Sequence, residues 1–298
     1  MIRSRSAGSK LFTVFNYSLL TASSLLCLLP FVNLLAVSFS SASQVDAGYV
    51  RFWPVQFTIS SYEYVLNSQA FTRATFVSFH RLLLGVSVNT LLTVLAAYPL
   101  SREKGAFRGR AFYAWFFVLT MLFQYGLIPG YMSVKFTGLI DTIWALVLPR
   151  AVPVFNVIVL LNFFRSLPRE LEESAYMDGA THWRTLWSIY IPLSKPALAT
   201  VTLFCIVGHW NAWFDGLIYM NRASNYPLQT YLRTVIVAPE VFLRRLISGG
   251  DYQAILQYVG VRTSRAAQLF VATIPVLVAY PFLQKYFTKG LVLGSVKG

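Results

Sequence analysis

The residues able to do chemistry are few, and their spacing excludes more than it offers. His80, His182 and His209 are dispersed, with no His/Cys set at the spacing a metal site needs. Cys27 and Cys205 fall in separate apolar stretches, which argues against a disulfide framework. No Ser/His/Asp arrangement for nucleophilic catalysis can be drawn. No Gly-Lys dipeptide occurs, so the chain lacks the phosphate-cradling loop of the Walker type. Any ATP dependence must reside in another chain. Three features remain: a polar run from Glu172 to Pro196, an aromatic cluster around Asn211, and the lone cation Arg150 within an apolar stretch.

The polar run, EESAYMDGATHWRTLWSIYIPLSKP, lies between the apolar segments 151–164 and 197–214. Ser166 is placed to cap a helix, with Pro168 in its first turn, where a missing N–H costs nothing. Glu170, Glu172 and Glu173 crowd that turn, where carboxylates suit the positive end of the helix dipole. Asp178-Gly179 ends the helix, because glycine accepts the left-handed backbone required just past it. Thr181 can cap a second helix, which Pro192 stops. The spacing thus predicts a helix–turn–helix on a membrane surface. It has too little apolar area to stand alone and needs a partner.

Glu173-Ser174-Ala175, then Gly179, then Ile189-Tyr190-Ile191-Pro192 resemble the E-A-A–x3–G–x9–I-x-L-P loop of binding-protein-dependent ABC importer permeases. Ser174 stands for Ala and Ile191 for Leu, both conservative departures. The resemblance implies that residues 165–196 form a cytoplasmic coupling loop within a single permease domain, 1–298. Glu172, Glu173, Ser174, Ala175, Asp178, Gly179, Ala180 and Pro192 would engage an ATPase. It also implies the partners: a second permease chain completing a heterodimeric pore, two ATPase subunits holding ATP and Mg, and an external solute-binding protein. No cofactor is expected in this chain, and no nucleic acid. The plain alternative for the run is an interfacial helix pair between two spans. Residues WPVQFTISSYEYVL and the tail KGLVLGSVKG are similar to segments of the carbohydrate-uptake branch, nearest the group that includes alginate import.

The aromatic cluster reads GHWNAWFDGLIYM. Sugars bind aromatic faces through their apolar ring surfaces and take hydrogen bonds from amides and acids. Trp210, Asn211, Trp213 and Asp215 are therefore candidates for a substrate path, with Arg150 as a cation within a span. Two readings stand for the cluster, a sugar path or an interfacial aromatic belt with Asn211 bonding a neighbouring helix. Outside, Arg222, Arg233, Arg244, Arg245, Arg262 and Arg265 face only Glu240 and Asp251. Arginine forks suit an acidic substrate or an acidic face of the binding protein. A solvated loop is the bland reading.

Composition sets the class. The 298 residues are 56% hydrophobic and only 12% charged, against about 25% in soluble domains, so the chain is a polytopic membrane protein. The net charge of +14 is scattered rather than striped, with no nucleic-acid motif. A span needs roughly 20 apolar residues. Candidate spans fall at 12–38, 82–101, 111–130, 143–164, 197–217 and 266–284, with Pro149–Pro153 interrupting the fourth. The first is too long for a signal peptide. Arg3, Arg5 and Lys10, then Arg102, Lys104, Arg108 and Arg110, flank the first spans on one side, against Arg51 on the other. The expected fold is all-α with six transmembrane helices, N-terminus and C-terminus inside, in a cell inner membrane. The scarcity of intramembrane acids, Asp141 and Asp215 only, weighs against an ion-coupled carrier, the alternative function class. Such a carrier would take up solute without any ATPase.

Overall fold

Long apolar runs can satisfy their backbone in lipid only as helices, and helices dominate the computed structural model of the chain. It describes residues 7–102, 107–123, 126–237 and 260–295. Arg3, Arg5, Lys104, Glu240, Arg244, Arg245, Asp251 and Lys297 lie outside the described residues. Helix α1 is Ala7–Ser38, α2 Ala42–Asp46, α3 Ser60–Asn67 and α4 Gln69–Ser101. Then come α5, Arg110–Leu122, α6, Leu127–Phe136, and α7, Trp144–Val147, which continues as a 3-10 turn over Leu148–Arg150. Helix α8 is Val154–Arg165, and α9, Glu170–Met177, opens the polar run. Its second arm is α10, His182–Thr185, a π-turn over Leu186–Tyr190, and α11, Ile191–Leu193. Helices α12, Lys195–Asn211, α13, Phe214–Tyr219, and α14, Leu228–Val237, precede the last, α15, Val261–Ser295.

Among the described residues, α1 and α4 are each long and apolar enough to cross a membrane. Three bent pairs also pass as broken spans, making up to five: α5 with α6, α7 with α8, and the second hairpin arm with α12. The bend between α7 and α8 is 51° and falls at Pro149–Pro153, where prolines remove helix donors. Along α1, Leu11, Phe12, Phe15, Leu25 and Leu26 are exposed, as befits a helix whose solvent is lipid.

Two expectations about the spans need correction. Helix α4 starts at Gln69 rather than Leu82 and carries Arg73 and Arg81 in its N-terminal half. The charge-free run begins at Leu82, so a reading based on charge starts the helix too late. Arg81 is instead buried and neutralised by Asp215. The fifth segment, expected to be continuous over 197–217, breaks after Asn211, where Ala212 is extended (φ −72°, ψ 123°).

The chain forms two compact units, Met1–Gln69 with Thr234–Thr273, and Ala70–Arg233 with Ile274–Gly298. In the first, Phe39 stacks on Phe57 and Tyr62 at centroid separations of 5.3 and 4.6 Å. The Ser38 and Tyr62 hydroxyls are hydrogen-bonded at 2.8 Å. In the second, Val94, Ala97, Tyr98 and Leu100 of α4 pack with Val157, Leu160 and Phe164 of α8. Leu186 and Tyr190 of the hairpin and Ala197 and Val201 of α12 complete this core. A smaller cluster joins Val134 of α6, Ala145 and Leu146 of α7, and Tyr219 and Met220.

The approach of α4 to α12 is set by Gly85. A β-carbon there would fall on the His209 ring, whose Cε1 and Cδ2 would lie 2.5 and 2.7 Å away. Gly85→Ala is therefore expected to cost on the order of 1–3 kcal/mol as overpacking. Yield and thermal midpoint of the purified complex measure this. Adding His209→Ala should recover most of the loss; no recovery would mean that this contact does not set the helix separation.

Candidate functional site

The hairpin begins later than its sequence suggests. Ser166 does not cap α9: it ends α8, its hydroxyl donating to the Phe163 carbonyl at 2.7 Å. Pro168 precedes Arg169, the N-cap of α9, and so lies outside the first turn. The apolar periodicity of 154–165 carries α8 to Arg165, which pushes the next start beyond the proline. The acids remain at the dipole's positive end, with Glu170, Glu172 and Glu173 in the first turn.

Gly179 closes α9 at φ +75°. Its N–H donates to the Tyr176 carbonyl at 3.0 Å, and the Ala180 N–H to the Ala175 carbonyl at 2.9 Å. This pair of bonds is the Schellman closure that a left-handed glycine permits. Thr181 caps α10 by accepting from the Arg184 N–H. Pro192 does not stop the second arm, which runs to Leu193. Because its ring crowds the carbonyl four residues back, at Ser188, the strain is taken up as the π-turn. The chain then turns at Ser194 by 84° into α12.

A buried ion pair fixes this hairpin to α4. Arg102, just past the end of α4 and 7% exposed, pairs with the Glu172 carboxylate. The Tyr190 hydroxyl accepts from Arg102 Nη1 at 3.2 Å and donates to Glu172 Oε2 at 2.9 Å. The guanidinium carbon lies over the rings of Tyr98 (4.0 Å) and Tyr190 (4.6 Å), so the cation meets two π-clouds. Tyr98 donates to the His182 carbonyl at 3.1 Å, and the Tyr176 hydroxyl meets His182 Nδ1 at 2.7 Å. Burial, then the Glu172 carboxylate, push the Tyr190 phenol up to about 12 and Tyr176 higher still, so both remain protonated donors at any physiological pH. Glu172 is thus engaged inward. Glu173, Ser174, Asp178 and Gly179 are exposed, Ala175 is buried and Ala180 is half-buried. Met177 (89%), Trp183 (62%) and Trp187 (51%) leave large apolar surface uncovered on the same hairpin.

At the other end of α4, Arg81 is 1% exposed and grips the break after α12. It pairs bidentately with Asp215 and also donates to the Ala212 carbonyl at 3.2 Å. Asp215 further accepts from the Gly216 N–H at 2.8 Å. Its charge is committed to the structure. Trp210 is buried, edge-on to Phe79 at 5.5 Å, whereas Asn211 and Trp213 are exposed. Arg150 is exposed at the end of the 3-10 turn. The predicted path residues therefore divide into two that face outward around the break, Asn211 and Trp213, two that hold its packing, and Arg150 on another element. Among the described residues, no group of His, Cys, Asp and Glu is placed to hold a metal ion.

Neither arginine of these ion pairs is evident as a partner from the sequence: Arg102 reads only as a topology marker, and nothing singles out Arg81. A tyrosine four residues before Arg102, together with the cluster of acids at the start of the hairpin, is the available signal. Removing Arg102 should leave Glu172 without its countercharge and the Tyr190 hydroxyl without the donor it accepts from. Arg102→Met is expected to cost on the order of 2 kcal/mol, about thirtyfold in local opening. Hydrogen exchange of the α9 amides reads this directly. Arg102→Met with Glu172→Leu should recover most protection, because an apolar pair carries no desolvation cost. Unchanged exchange in the single variant would mean the pair does not hold the hairpin.

Comparison with known proteins places this architecture. The family described as binding-protein-dependent transport system inner membrane component matches residues 106–292. The chain is 39% identical to protein LplC of Bacillus subtilis (strain 168) over 293 residues, covering 98% of this chain and 96% of that protein. It is 37% identical to the polygalacturonan/rhamnogalacturonan transport system permease protein YtcP of the same organism, covering 97% and 99%. A chain from the crystal structure of a bacterial ABC transporter involved in the import of the acidic polysaccharide alginate superimposes with a TM-score of 0.87. That chain is 32% identical, with 95% of this chain and 99% of the other covered. The protein therefore belongs to the binding-protein-dependent transport system inner membrane components: it is an all-helical ABC importer permease subunit, a transporter part and not an enzyme.

Proposed function

We propose that this chain is one half of the pore of a sugar importer, a single permease domain that takes up acidic, uronate-containing oligosaccharides. The observation that carries the transport role is the hairpin 165–196, anchored inward by Glu172 and presenting Glu173, Asp178 and uncovered Met177, Trp183 and Trp187 outward. Such a face suits the cleft of a cytoplasmic ATPase. The lack of a phosphate-binding loop in this chain assigns ATP and Mg to two partner ATPase subunits. A second permease chain completes the pore, and an extracytoplasmic solute-binding protein delivers the sugar. Six spans, with both termini inside, put the hairpin on the ATPase side and the α12–α13 break toward the outer half.

Closure of the ATPase pair draws the hairpins together. Because Arg102 ties the hairpin to α4, the helix follows, and Arg81 at its far end moves the break. Substrate acidity is supported by the relatives, one described with polygalacturonan and rhamnogalacturonan transport and one with import of alginate. Exposed Arg150 and the outer arginines suit such a substrate, since a carboxylate leaving water needs a compensating charge.

Two measurements test this on the assembled complex in proteoliposomes. Gly179→Asp places a side chain on a left-handed residue, at about 1 kcal/mol or more, and adds charge at the hairpin's tip. It should leave the complex in the membrane but abolish stimulation of ATP hydrolysis by loaded binding protein. Full stimulation would remove the coupling assignment. Wild-type complex should import trigalacturonate in preference to a neutral trisaccharide, and Arg150→Ala should lower that uptake while sparing assembly. A wild-type preference for the neutral sugar would overturn the acidic-substrate reading.

A further inference from the structure

The break between α12 and α13 exposes a tryptophan in a place the backbone cannot easily leave. Ala212 is extended, and Trp213 (φ −123°, ψ −31°) begins the next turn. The carbonyls of both residues are engaged, that of Ala212 by Arg81 and that of Trp213 by the Thr230 hydroxyl at 2.8 Å. Non-helical backbone at membrane depth persists only where it is buried in protein or lines a water-filled cavity. Here the Trp213 side chain remains 37% exposed while the backbone beneath it is tied on both sides. The indole also meets the Phe214 ring in a T-shaped contact at 5.5 Å, which leaves part of it open as a platform.

Arg233 of α14 lies with its guanidinium 5.0 Å from the Trp213 ring centroid, and its side chain is exposed. An arginine stacked on an aromatic face keeps its N–H edges directed outward and loses little entropy on accepting a partner. Among the described residues no acid pairs with it. Asp215, two residues from Trp213, spends both carboxylate oxygens on Arg81. Arg222, by contrast, has Asp141 at 3.4 Å. Arg233 is thus a cation beside an aromatic platform, with the nearby carboxylate already neutralised. Asn211, exposed at the end of α12, adds an amide two residues away.

We propose that Trp213 and Arg233 form a uronate subsite, in which the exposed part of the indole packs against the pyranose and the guanidinium fork beside it takes the C6 carboxylate. This rests on the acidic-oligosaccharide reading above and names the residues that would impose it. A methyl-esterified uronate has the same ring and nearly the same shape but offers no charge to the fork. Loss of a bidentate, charge-assisted pair corresponds to about tenfold or more in affinity.

The test compares uptake of trigalacturonate and its fully methyl-esterified form by the complete complex in proteoliposomes. The variants are Arg233→Gln, Arg233→Lys and Trp213→Leu. Wild type is expected to favour the free acid. Arg233→Gln should reduce that preference about tenfold, Arg233→Lys should retain part of it, and Trp213→Leu should depress uptake of both compounds. A wild-type ratio in Arg233→Gln would overturn the subsite while leaving the acidic-substrate reading intact. Equal loss of both substrates in Arg233→Gln would also overturn it, since Arg233 would then serve the fold or docking to the binding protein. Absence of any free-acid preference in wild type would refute the acidic-substrate reading itself.

Discussion

A guanidinium withdrawn from water needs compensation, and Arg102 finds it at Nη1, in the Glu172 carboxylate and the Tyr190 hydroxyl, and in two tyrosine rings, while Nε and Nη2 have no hydrogen-bond partner among the described residues. Nearly everything about the hairpin follows from that requirement. An eight-residue helix joined to a short, π-distorted second arm has little stability of its own. Its buried side chains are few: Ala175, Thr185, Leu186, Tyr190 and Ser194. The ion pair is what makes the hairpin an extension of α4 instead of a loop hanging from α8. A merely apolar contact could slide; an ion pair whose Nη1 is shared with the Tyr190 hydroxyl and whose guanidinium rests on two tyrosine rings has one register.

The same helix repeats the device at its other end. Arg81 and Arg102 are 21 residues apart (102 − 81 = 21), which spans about 32 Å at 1.5 Å per residue. One grips the non-helical joint after α12, the other the hairpin before it. Gly85 lets α4 lie against His209 so closely that Arg81 can reach both Asp215 and the Ala212 carbonyl. In the proposed cycle, a displacement imposed on the hairpin reaches the joint without crossing a soft contact.

Much of this was legible in the residues. The E-S-A/Gly179/I-Y-I-P spacing identifies the hairpin, and Gly179 adopts the left-handed backbone that its position requires. The proline-flanked break at Pro149–Pro153 also lies where the residues place it. What escaped has a common physical cause. Local rules assign a charge to the nearest boundary, so Arg102 reads as a sign of the membrane surface, Arg81 is not singled out, and Asp215 reads as an acid on the substrate path. Their partners lie 134 and 70 residues away in sequence (215 − 81 and 172 − 102), and no local pattern announces such a pairing. Ser166 and Pro168 failed for a related reason. Each has cap chemistry, but the packing of Leu160 and Phe164 into the core extends α8 over the position where a start was expected.

The central claim is that the hairpin and α4 move as one body. Spin labels at Met177, 89% exposed on the hairpin, and Leu91, 47% exposed midway along α4, would report it by electron–electron distance measurement. The comparison is between the nucleotide-free complex and the complex trapped with ATP and vanadate. A rigid unit predicts that the distance changes by no more than about 1.5 Å, one residue's rise. A change of about 5 Å, a full helical turn, would show the hairpin sliding along α4 and would contradict the account.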